Sequence, residues 1–387
     1  MPRSFPSLDV EIEEITAREL KRRLDDGETL TLIDTREPEE FEEWQISHPN
    51  LTVRNIPFAK FLDESGENPA QEVPEGIPDG PLVTSCAIGI SSFYVAEFLV
   101  REGYEAVALE DGMEGWAELN ERRVLDLDGD QRVIQFHRPS SGCLAYMLVS
   151  GDEAAVVDPL RAFASEYGGI AEEYGATLRY AIDTHVHADH VSGVREVATA
   201  SDVAVVLPEG ATDRGLAYDA TLVEDGEEIP LGEHAIIARA LPGHTTEMMG
   251  YHFDDVLLTG DSLFLDSVAR PDLEDPEQAR NAAETLYETL QGLDDVPDGT
   301  VVAPGHVGPT TAPAGDGTFT ATLGEIRQRL GVFEEPKDAF LDRVVEDLPP
   351  RPTNYETIIE INLGRETADD SEAFELELGP NNCAVGE

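Results

Sequence analysis

The segment Thr184-His185-Val186-His187-Ala188-Asp189-His190 decides how this chain folds and what it binds. It places three imidazoles and one carboxylate within six residues, directly after the apolar, strand-like run at residues 178–182. A short loop at the end of a strand can turn all four side chains toward one point, whereas a helix would scatter them around its axis. Imidazole and carboxylate groups hold zinc or iron when several of them converge. The segment therefore predicts a metal site at a strand end.

Three further loops carry ligand-type residues in a similar setting. They are Pro242-Gly243-His244-Thr245, Thr259-Gly260-Asp261-Ser262 and Pro304-Gly305-His306. The second and third follow apolar runs at residues 256–258 and 301–303, which are typical of buried strands. We therefore expect His244, Asp261 and His306 to complete the site. The other four of the nine histidines, His48, His137, His234 and His252, are expected to be ordinary structural or solvated residues.

The four loops together carry a family resemblance. His-x-His-x-Asp-His, Gly-His-Thr, Thr-Gly-Asp and Pro-Gly-His, in this order, resemble the metallo-β-lactamase superfamily over about residues 131–310. The resemblance implies an αββα sandwich with the metal at one edge, between two sheets.

The charge of the chain is its second strong signal. Its 387 residues leave room for two domains, and at 41% apolar residues it can bury a sizeable core. The net charge is −54, from 80 acidic residues spread along the whole chain against 26 basic ones, of which three are lysine. Self-repulsion of this size destabilises a compact state unless salt screens it. We therefore expect a protein adapted to molar intracellular salt. The competing idea, an acidic surface for one partner, fits a uniform spread poorly.

Composition also bounds the compartment and the partners. A strongly acidic surface disfavours nucleic acid and anionic membranes as partners. No apolar run reaches 18 residues, and residues 1–5 lack an apolar signal region, so we expect a cytoplasmic protein. The oligomeric state stays open, with a homodimer among the options.

The first 125 or so residues read as a small α/β unit. Buried strands are predicted at residues 30–34 and 81–85, and amphipathic helices begin near Thr16 and Ser92. Thr16 is the expected N-cap of the first helix, with Glu19 three residues on. An Asp-rich stretch at residues 126–130 marks the expected boundary.

Cys86 lies between the second of these strands and the helix near Ser92. A tight loop and a helix N-terminus surround the sulfur with backbone amides, which favours a thiolate and can hold an anion such as a persulfide. A buried, inert cysteine is the alternative. Residues 33–41, the Cys86 loop and residues 111–116 together resemble a rhodanese (sulfurtransferase) domain over about residues 10–122. In the family pattern Cys-x-x-Gly-x-Arg-Ser, Cys86, Gly89 and Ser92 match, while Ser91 replaces the arginine. The resemblance therefore implies persulfide carriage by Cys86 and leaves thiosulfate binding in doubt.

The other two cysteines are read individually, because three cysteines are too few and too odd in number for a disulfide framework. Cys143 lies in a strand-like context, so we expect it to pack in the core. Cys383 lies in a polar tail and is either a solvated thiol or one that folds back to an active site.

Together these observations predict an α/β protein with three parts. A rhodanese-like, doubly wound α/β domain is expected at residues 10–122 and an αββα metallo-β-lactamase sandwich at residues 131–310. A C-terminal extension at residues 311–387, with helices at 323–330 and 337–347, is expected to pack on the metal domain.

Two chemistries would use nearly the same residues. In a hydrolytic reading, His185, His187 and His244 hold one zinc ion, Asp189, His190 and His306 hold a second, and Asp261 bridges them. A metal-activated hydroxide would then cleave a thioester, as in the glyoxalase II kind of enzyme. All seven residues are present.

In an oxidative reading, one Fe(II) is held by two histidines and one carboxylate and keeps three positions for substrate and O2. Resemblance to persulfide dioxygenases implies His185, His244 and Asp261 as that triad. The other four ligand-type residues would orient ligands and water. The partners would be a small-molecule thiol persulfide and O2, and the product sulfite.

Three features favour the oxidative reading. A sulfurtransferase-like domain is fused to the metal domain. Residues 260–273 resemble a Gly-Asp-x-Leu-Phe…Arg-Pro-Asp-Leu stretch of persulfide dioxygenases, and this resemblance implies that Arg270 lies near the substrate. A structural salt bridge between Arg270 and Asp272 is an equally favoured alternative. The tail at residues 353–359 resembles those of rhodanese fusions. Against it, Pro304-Gly305-His306 is closer to the hydrolases. A sulfur carrier or sensor with a purely structural metal is a third reading, disfavoured because structural zinc sites are closed by four ligands.

Overall fold

A computed structural model describes residues 10–127, 129–200, 203–346, 348–379 and 382–385. The predictions made for residues 1–5, Asp128 and Asp347 lie outside the described residues. The chain divides into two compact units, Met1–Leu119 and Asn120–Glu387.

The first unit is a parallel five-stranded sheet in the order β1-β5-β4-β2-β3. Its elements in chain order are β1 (Glu14–Ile15), α1 (Ala17–Asp25), β2 (Leu30–Asp34), α2 (Pro38–Glu43), β3 (Leu51–Asn55), β4 (Leu82–Ser85), α3 (Ile90–Arg101), β5 (Ala106–Leu109) and α4 (Gly112–Ala117).

Helices cover both faces of this sheet because its strands are apolar on both sides. Leu32 and Ile33 are neighbours in β2 and therefore point to opposite faces. Leu32 packs in a cluster with Leu20 of α1 and Trp116 of α4, and Ile33 in another with Phe98 of α3. The predicted doubly wound α/β domain is confirmed, and Thr16 caps α1 by accepting a hydrogen bond from the Glu19 amide at 3.1 Å.

The second unit contains two large sheets and a two-stranded ribbon. The seven-stranded sheet has the order β12-β11-β10-β9-β8-β7-β6, the six-stranded sheet β13-β14-β15-β16-β18-β19, and the ribbon pairs β17 with β20. The strands are β6 (Glu121–Val124), β7 (Arg132–Arg138), β8 (Cys143–Ser150), β9 (Glu153–Val157), β10 (Thr177–Ile182), β11 (Ala204–Pro208), β12 (Thr221–Val223), β13 (Glu228–Leu231), β14 (His234–Ala240), β15 (Met249–Phe253), β16 (Val256–Gly260), β17 (Val268–Ala269), β18 (Val301–Pro304), β19 (Ala321–Thr322) and β20 (Ala384–Val385). The helices are α5 (Tyr167–Glu173), α6 (Val194–Ala200), α7 (Ala279–Gln291), α8 (Leu323–Arg329), α9 (Lys337–Glu346), α10 (Tyr355–Asn362) and α11 (Asp370–Leu376).

The two large sheets stack face to face around a shared apolar core. Leu148 and Val157 of one sheet share a buried cluster with Tyr251 and Leu258 of the other. A second cluster joins the outer face of the seven-stranded sheet to α5 and α6, and a third joins the outer face of the six-stranded sheet to α7, α8 and α9. This is the predicted αββα sandwich, which is therefore confirmed.

Segments near the C-terminus pack on the loop that follows β10. Ile358 and Ile361 of α10 share a buried cluster with Val191, and Cys383 shares another with Ala188 and Leu273. No helix in the described part of the chain combines the length and the apolar character that a membrane span requires.

Candidate metal centre

All seven ligand-type residues predicted from the sequence converge at one edge of the sandwich. Residues 185–190 follow β10, Asp261 follows β16 and His306 follows β18, while His244 lies in the connection from β14 to β15. Because β16 and β18 are parallel, their C-terminal ends meet at the same edge. Each of the seven side chains is buried, with at most 7% of its surface exposed.

The first group of donors is His185, His244 and Asp261. One donor atom from each lies within 4.8 Å of the others. Within the described residues, His185 Nε2, His244 Nε2 and Asp261 Oδ2 are buried and have no hydrogen-bond partner. Buried polar atoms almost always have a partner, so three unpartnered atoms close to one another indicate a cation site.

Hydrogen bonds on the far side of each ring fix which nitrogen faces that point. His244 Nδ1 lies 2.9 Å from the carbonyl oxygen of Arg270, and a carbonyl can only accept, so Nδ1 carries the proton. The Thr184 hydroxyl donates to Asp158 at 3.0 Å and therefore accepts from His185 Nδ1 at 2.9 Å. Both rings thus present an unprotonated Nε2, the form that binds a metal.

The second group is Cys143, Asp189, His190 and His306, again with one donor atom from each within 4.8 Å of the others. Asp189 Oδ1 and His190 Nε2 are buried without a partner. His306 links this group to the first, because its Nδ1 lies 2.6 Å from Asp261 Oδ1 and its Nε2 lies 2.7 Å from Asp189 Oδ2.

His187 lies between the two groups. Its ring centroid is 4.2 Å from that of His185 and 4.1 Å from that of His190, and its Nδ1 has no partner. Its Nε2 is 3.1 Å from Asp158 and 3.7 Å from Asp183. Sequence reasoning missed these two carboxylates. Their signal was their position, since each directly follows the last residue of an apolar strand, β9 or β10.

The buried carboxylates and histidines of the centre shift one another's pKa values. Four carboxylates are buried here, and the ion pairs described for them come from histidines alone: Asp158, Asp183, Asp189 and Asp261. Burial raises the pKa of Asp189, but His190 and His306 outweigh burial and hold that pKa well below its ordinary value. Burial and His190 lower the pKa of His187, but Asp158 outweighs them and raises it to about 9. His190 and His306, whose pKa values the carboxylates raise, supply positive charge beside them, and the donor set fits zinc or iron.

Glycines next to the donors are required by close packing. Gly260 has a φ of +48°, and a side chain there would meet Met248 and Thr184. A Cβ on Gly305 would lie 2.4 Å from Asp261 Oδ1. The Thr-Gly-Asp and Pro-Gly-His loops therefore need glycine for the carboxylate and the imidazole to approach each other.

Side chains far along the chain hold the backbone of the metal loop. Asn362 donates to the carbonyls of His187 and His190, each at 2.9 Å, and accepts from the Ser192 amide at 2.9 Å. Glu377 accepts from the Val191 amide at 2.9 Å and pairs with the buried Arg138. Sequence reasoning identified the C-terminal segment by resemblance but none of these three residues.

Arg270 is buried and ties several segments together. Its Nε lies 2.7 Å from Asp272 Oδ1, and its Nη1 donates to the carbonyls of Pro350 and Asn382 at 2.9 and 3.0 Å. The salt bridge with Asp272, one of the two roles considered for it, is therefore present. Its own carbonyl orients His244, so Arg270 connects the first group of donors to the C-terminal tail.

The two remaining thiols of this unit also lie near the donors. Cys383 is buried against Ala188, so of the two alternatives for it the structure shows the folded-back one. Cys143 packs in the core as expected, but its Sγ also lies 3.4 Å from Asp189 Oδ2. Its place among metal donors was missed, since a lone cysteine at the start of a strand gives no signal.

The four other histidines lie outside these groups. His48 contacts Asp25 at 3.1 Å, His234 contacts Ser150 at 2.9 Å, and the His137 ring packs at a tilt against Phe319. His252 lies in β15, and burial lowers its pKa.

In the first unit, Cys86 lies in the tight loop between β4 and α3. The Ser92 hydroxyl is 3.3 Å from Cys86 Sγ and donates to it. The Met113 amide donates to the Cys86 carbonyl at 2.8 Å, and a Cβ on Gly112 would lie 2.1 Å from that carbonyl oxygen. Cys86 itself is buried, with 5% of its surface exposed, whereas Ile88 and Ile90 next to it in sequence are 47% and 58% exposed.

Comparison with known proteins agrees with this geometry. Residues 139–306 match the family model of the metallo-beta-lactamase superfamily, and residues 16–119 match that of the rhodanese-like domain. The chain is 29% identical over 180 residues to the mitochondrial persulfide dioxygenase ETHE1 of Bos taurus, an alignment that covers 44% of this chain and 66% of that protein. It is 31% identical over 169 residues to the hydroxyacylglutathione hydrolase of Bartonella henselae, covering 43% of this chain and 61% of that protein.

Among solved structures, a metallo-beta-lactamase from Staphylococcus aureus superposes with a TM-score of 0.55 at 26% identity, covering 62% of this chain and 74% of that one. The chain spans slightly less than two thirds of the length of the two curated relatives.

Proposed function

We propose that this chain, in which a rhodanese-like domain precedes a metallo-β-lactamase domain, oxidises a low-molecular-weight thiol persulfide to sulfite with iron and carries sulfane sulfur on Cys86. The observation that carries the proposal is the first group of donors. Two histidines and one carboxylate, His185, His244 and Asp261, each aim an unpartnered buried atom at one point. Two histidines with one carboxylate and open positions is the donor set of non-haem iron oxygenases.

The donors of this group are oriented before any ion binds. Thr184 and the Arg270 carbonyl hold the two rings, and His306 holds Asp261 Oδ1, so that Oδ2 stays available. Such partners raise ligand basicity and preserve ring orientation. A ferrous ion held there supplies coordination positions for the persulfide sulfur and for O2.

His306 is placed to move a proton. It contacts Asp261 at 2.6 Å and Asp189 at 2.7 Å, so a proton on either ring nitrogen faces a carboxylate. The overall reaction takes one persulfide, one O2 and one water, and it yields one thiol, one sulfite and two protons. The His306–Asp189 pair can accept a proton that the water loses, and the burial of both groups keeps bulk water away.

Cys86 would exchange sulfane sulfur without any change of oxidation state. Its thiolate attacks the outer sulfur of a persulfide, the S–S bond breaks, and the original thiolate leaves with the electron pair. The Ser92 hydroxyl stabilises the sulfur anion by donating to it. Exposed Ile88 and Ile90, with Ser91 in place of arginine, suit a persulfide borne on a small thiol better than the thiosulfate dianion.

A second candidate is a di-zinc thioester hydrolase. Two observations favour it: all seven ligand-type residues are present and buried, and the identity to a hydroxyacylglutathione hydrolase, 31%, is slightly above the 29% to a persulfide dioxygenase. In that case His187 would be a ligand rather than a group that orients ligands, and its unpartnered Nδ1 allows this.

Metal analysis with an activity assay separates the two candidates. We expect iron in the purified protein, persulfide-dependent O2 uptake and sulfite release, all lost in Asp261→Asn. Asp266→Asn is the matched control, since Asp266 is exposed and pairs with Arg329. Two zinc ions per chain with thioester cleavage and no O2 uptake would overturn the proposal in favour of the hydrolase.

A further inference from the structure

Residues 382–385 lie against the connection that follows β16, and we call them the C-terminal segment. β20 of this segment pairs antiparallel with β17. The Arg270 amide donates to the Cys383 carbonyl at 3.1 Å, and Arg270 Nη1 donates to the Asn382 carbonyl at 3.0 Å. The match to the metallo-beta-lactamase family model ends at residue 306, so the C-terminal segment lies outside the part of the chain that the family model covers.

Cys383 is the residue of this segment that packs beside the metal loop. Its side chain is fully buried and shares a cluster with Leu273 and Ala188. Ala188 lies between His187 and Asp189 in the loop that carries four of the seven donors. A side chain at position 383 is therefore a neighbour of the metal centre, although it is distant in sequence.

Two hydrogen bonds connect Cys383 to the open group, by which we mean the donors His185, His244 and Asp261. The carbonyl of Arg270 accepts from His244 Nδ1 at 2.9 Å, and the amide of Arg270 donates to the Cys383 carbonyl at 3.1 Å. One donor of the open group and Cys383 are thus bound to the backbone of the same residue. This connection places Cys383 next to the open group.

Electrostatic contacts agree with this placement. The pKa of the Cys383 thiol lies well above its ordinary value, first because of burial and then because of the negative charges of Asp189 and Asp261. Charges weaken with distance, so a thiol that responds to both carboxylates lies close to both of them.

The backbone holds position 383 from both sides. Asn382 has a left-handed φ of +51° and its carbonyl is bound by Arg270, while Ala384 pairs with Ala269 in the ribbon. The Cβ of Cys383 therefore cannot move away when its side chain changes. A larger or smaller side chain at this position alters the space beside the open group directly.

That space is narrow. Every donor side chain of the centre has at most 7% of its surface exposed, and the thiol of Cys383 has none. The three nitrogens of the Arg270 guanidinium are already bound, to Asp272 and to the carbonyls of Pro350 and Asn382. A substrate that reaches the open group on this side therefore meets Cys383 rather than the guanidinium.

We infer that Cys383 is a specificity-determining residue of the open group, a wall that admits a persulfide on a compact thiol and excludes one on a bulky thiol. The inference rests on the proposed function for the persulfide, whereas the wall limits any thiol that binds at the open group. The thiol of Cys383 acts here through its size.

Calorimetry with thiols tests the wall without turnover. Full-length, iron-loaded protein is titrated in the absence of O2 with two uncharged thiols, 2-mercaptoethanol and the bulkier benzyl mercaptan. We expect Cys383→Gly to shift the ratio of the two affinities toward the bulky thiol by roughly tenfold or more, because one methylene of space in a pocket is worth about that factor. Cys383→Leu should shift the ratio in the opposite direction.

Two further variants separate size from chemistry. Cys383→Ser keeps the size of the side chain, so its ratio of affinities should stay near that of the unchanged protein. Ala384→Ser is the matched control, because Ala384 packs against a different cluster, under the six-stranded sheet. An unchanged ratio in both Cys383→Gly and Cys383→Leu would overturn the inference. A shift in Cys383→Ser as large as that in Cys383→Gly would also overturn it.

O2 uptake with the persulfides of the same two thiols distinguishes the two possible failures. We expect Cys383→Gly to lower the KM of the bulky persulfide relative to that of the compact one. If the affinity ratio shifts while neither persulfide supports O2 uptake, the proposed oxidation fails and the wall stands. If O2 uptake persists and the affinity ratio does not shift, the wall fails and the oxidation stands.

Discussion

The metal loop and the Cys86 loop both follow a parallel strand, yet they are built in opposite ways. Residues 185–190 are held by side chains from outside the loop: the distant Glu247 on the Val186 amide and Asn362 on two carbonyls, and the adjacent Thr184 on a ring nitrogen. The Cys86 loop is shaped mainly by backbone contacts with residues 112–114, and its sulfur accepts one side-chain hydrogen bond, from Ser92.

The difference follows from what each loop would do. A metal ion requires several donors aimed at one point, and each donor must be locked by a partner on its far side. A sulfur carrier presents a single nucleophile to a passing thiol, so it needs an open rim and anion-stabilising amides more than a rigid shell. We therefore expect the metal centre to depend on remote residues and the Cys86 loop to depend on local ones.

Salt is the most severe challenge to both regions. The chain carries a net charge of −54, and the screening length grows from about 3 Å in 1 M salt to about 30 Å in 0.01 M salt. We expect both units to unfold when salt is removed, as measured by circular dichroism and gel filtration. Restored salt should reverse the loss, whereas an uncharged osmolyte should not replace it. Stable folding in millimolar salt would contradict this prediction.

Within the metal centre, replacing a ligand should cost far more activity than replacing the neighbouring His187. His244→Ala removes a donor of the open group, so iron binding and O2 uptake should fall to background. His187→Ala removes a ring that would only orient neighbours, and it should cost roughly 10–100-fold. Iron content and O2 uptake of the two variants measure this contrast. Equal, complete losses would instead favour two zinc ions with His187 as a ligand.

The independence of the two regions is tested by Cys86→Ser. We expect sulfur transfer to disappear, because serine is a far weaker nucleophile, while persulfide-dependent O2 uptake stays within about twofold. Cys383→Ser serves as the control for transfer. If O2 uptake vanished together with transfer, the two-site model would fail.

Dependence of the metal loop on remote residues is tested by Asn362→Ala. This change removes hydrogen bonds to the His187 and His190 carbonyls and to the Ser192 amide. We expect metal affinity to fall by roughly 10–100-fold, measured by competition with a chelator. Asn281→Ala is the matched control, because Asn281 is exposed on α7 and donates to Gln278. Unchanged metal affinity in Asn362→Ala would show that the metal loop keeps its conformation without this remote side chain.

How much the sequence could predict differs between the regions for a physical reason. Donor residues such as His185 and Asp261 follow apolar strands, and this local pattern predicted their convergence, whereas the sandwich was implied by the family resemblance of the four loops. Asn362 and Glu377 act over 170 or more positions of sequence separation, and nothing local marks an asparagine that binds a distant carbonyl. Cys143 was missed for the same reason, because its bridge to His306 exists only in the folded chain.

Ser92→Ala should have the smallest effect of these variants, and it tests the Cys86 loop. The Ser92 hydroxyl donates both to Cys86 Sγ at 3.3 Å and to the Gly89 carbonyl at 3.1 Å, so the two acceptors share one proton. Loss of a shared hydrogen bond costs about 0.5–1.5 kcal/mol, which corresponds to roughly a 2- to 13-fold slower transfer. The rate of persulfide exchange and the pH dependence of Cys86 alkylation measure it, and Ser91→Ala is the adjacent control. We expect the Cys86 sulfur to depend on loop amides more than on this hydroxyl. If Ser92→Ala lowered the rate of persulfide exchange as much as Cys86→Ser, the Cys86 loop would also depend on the orientation of a side chain.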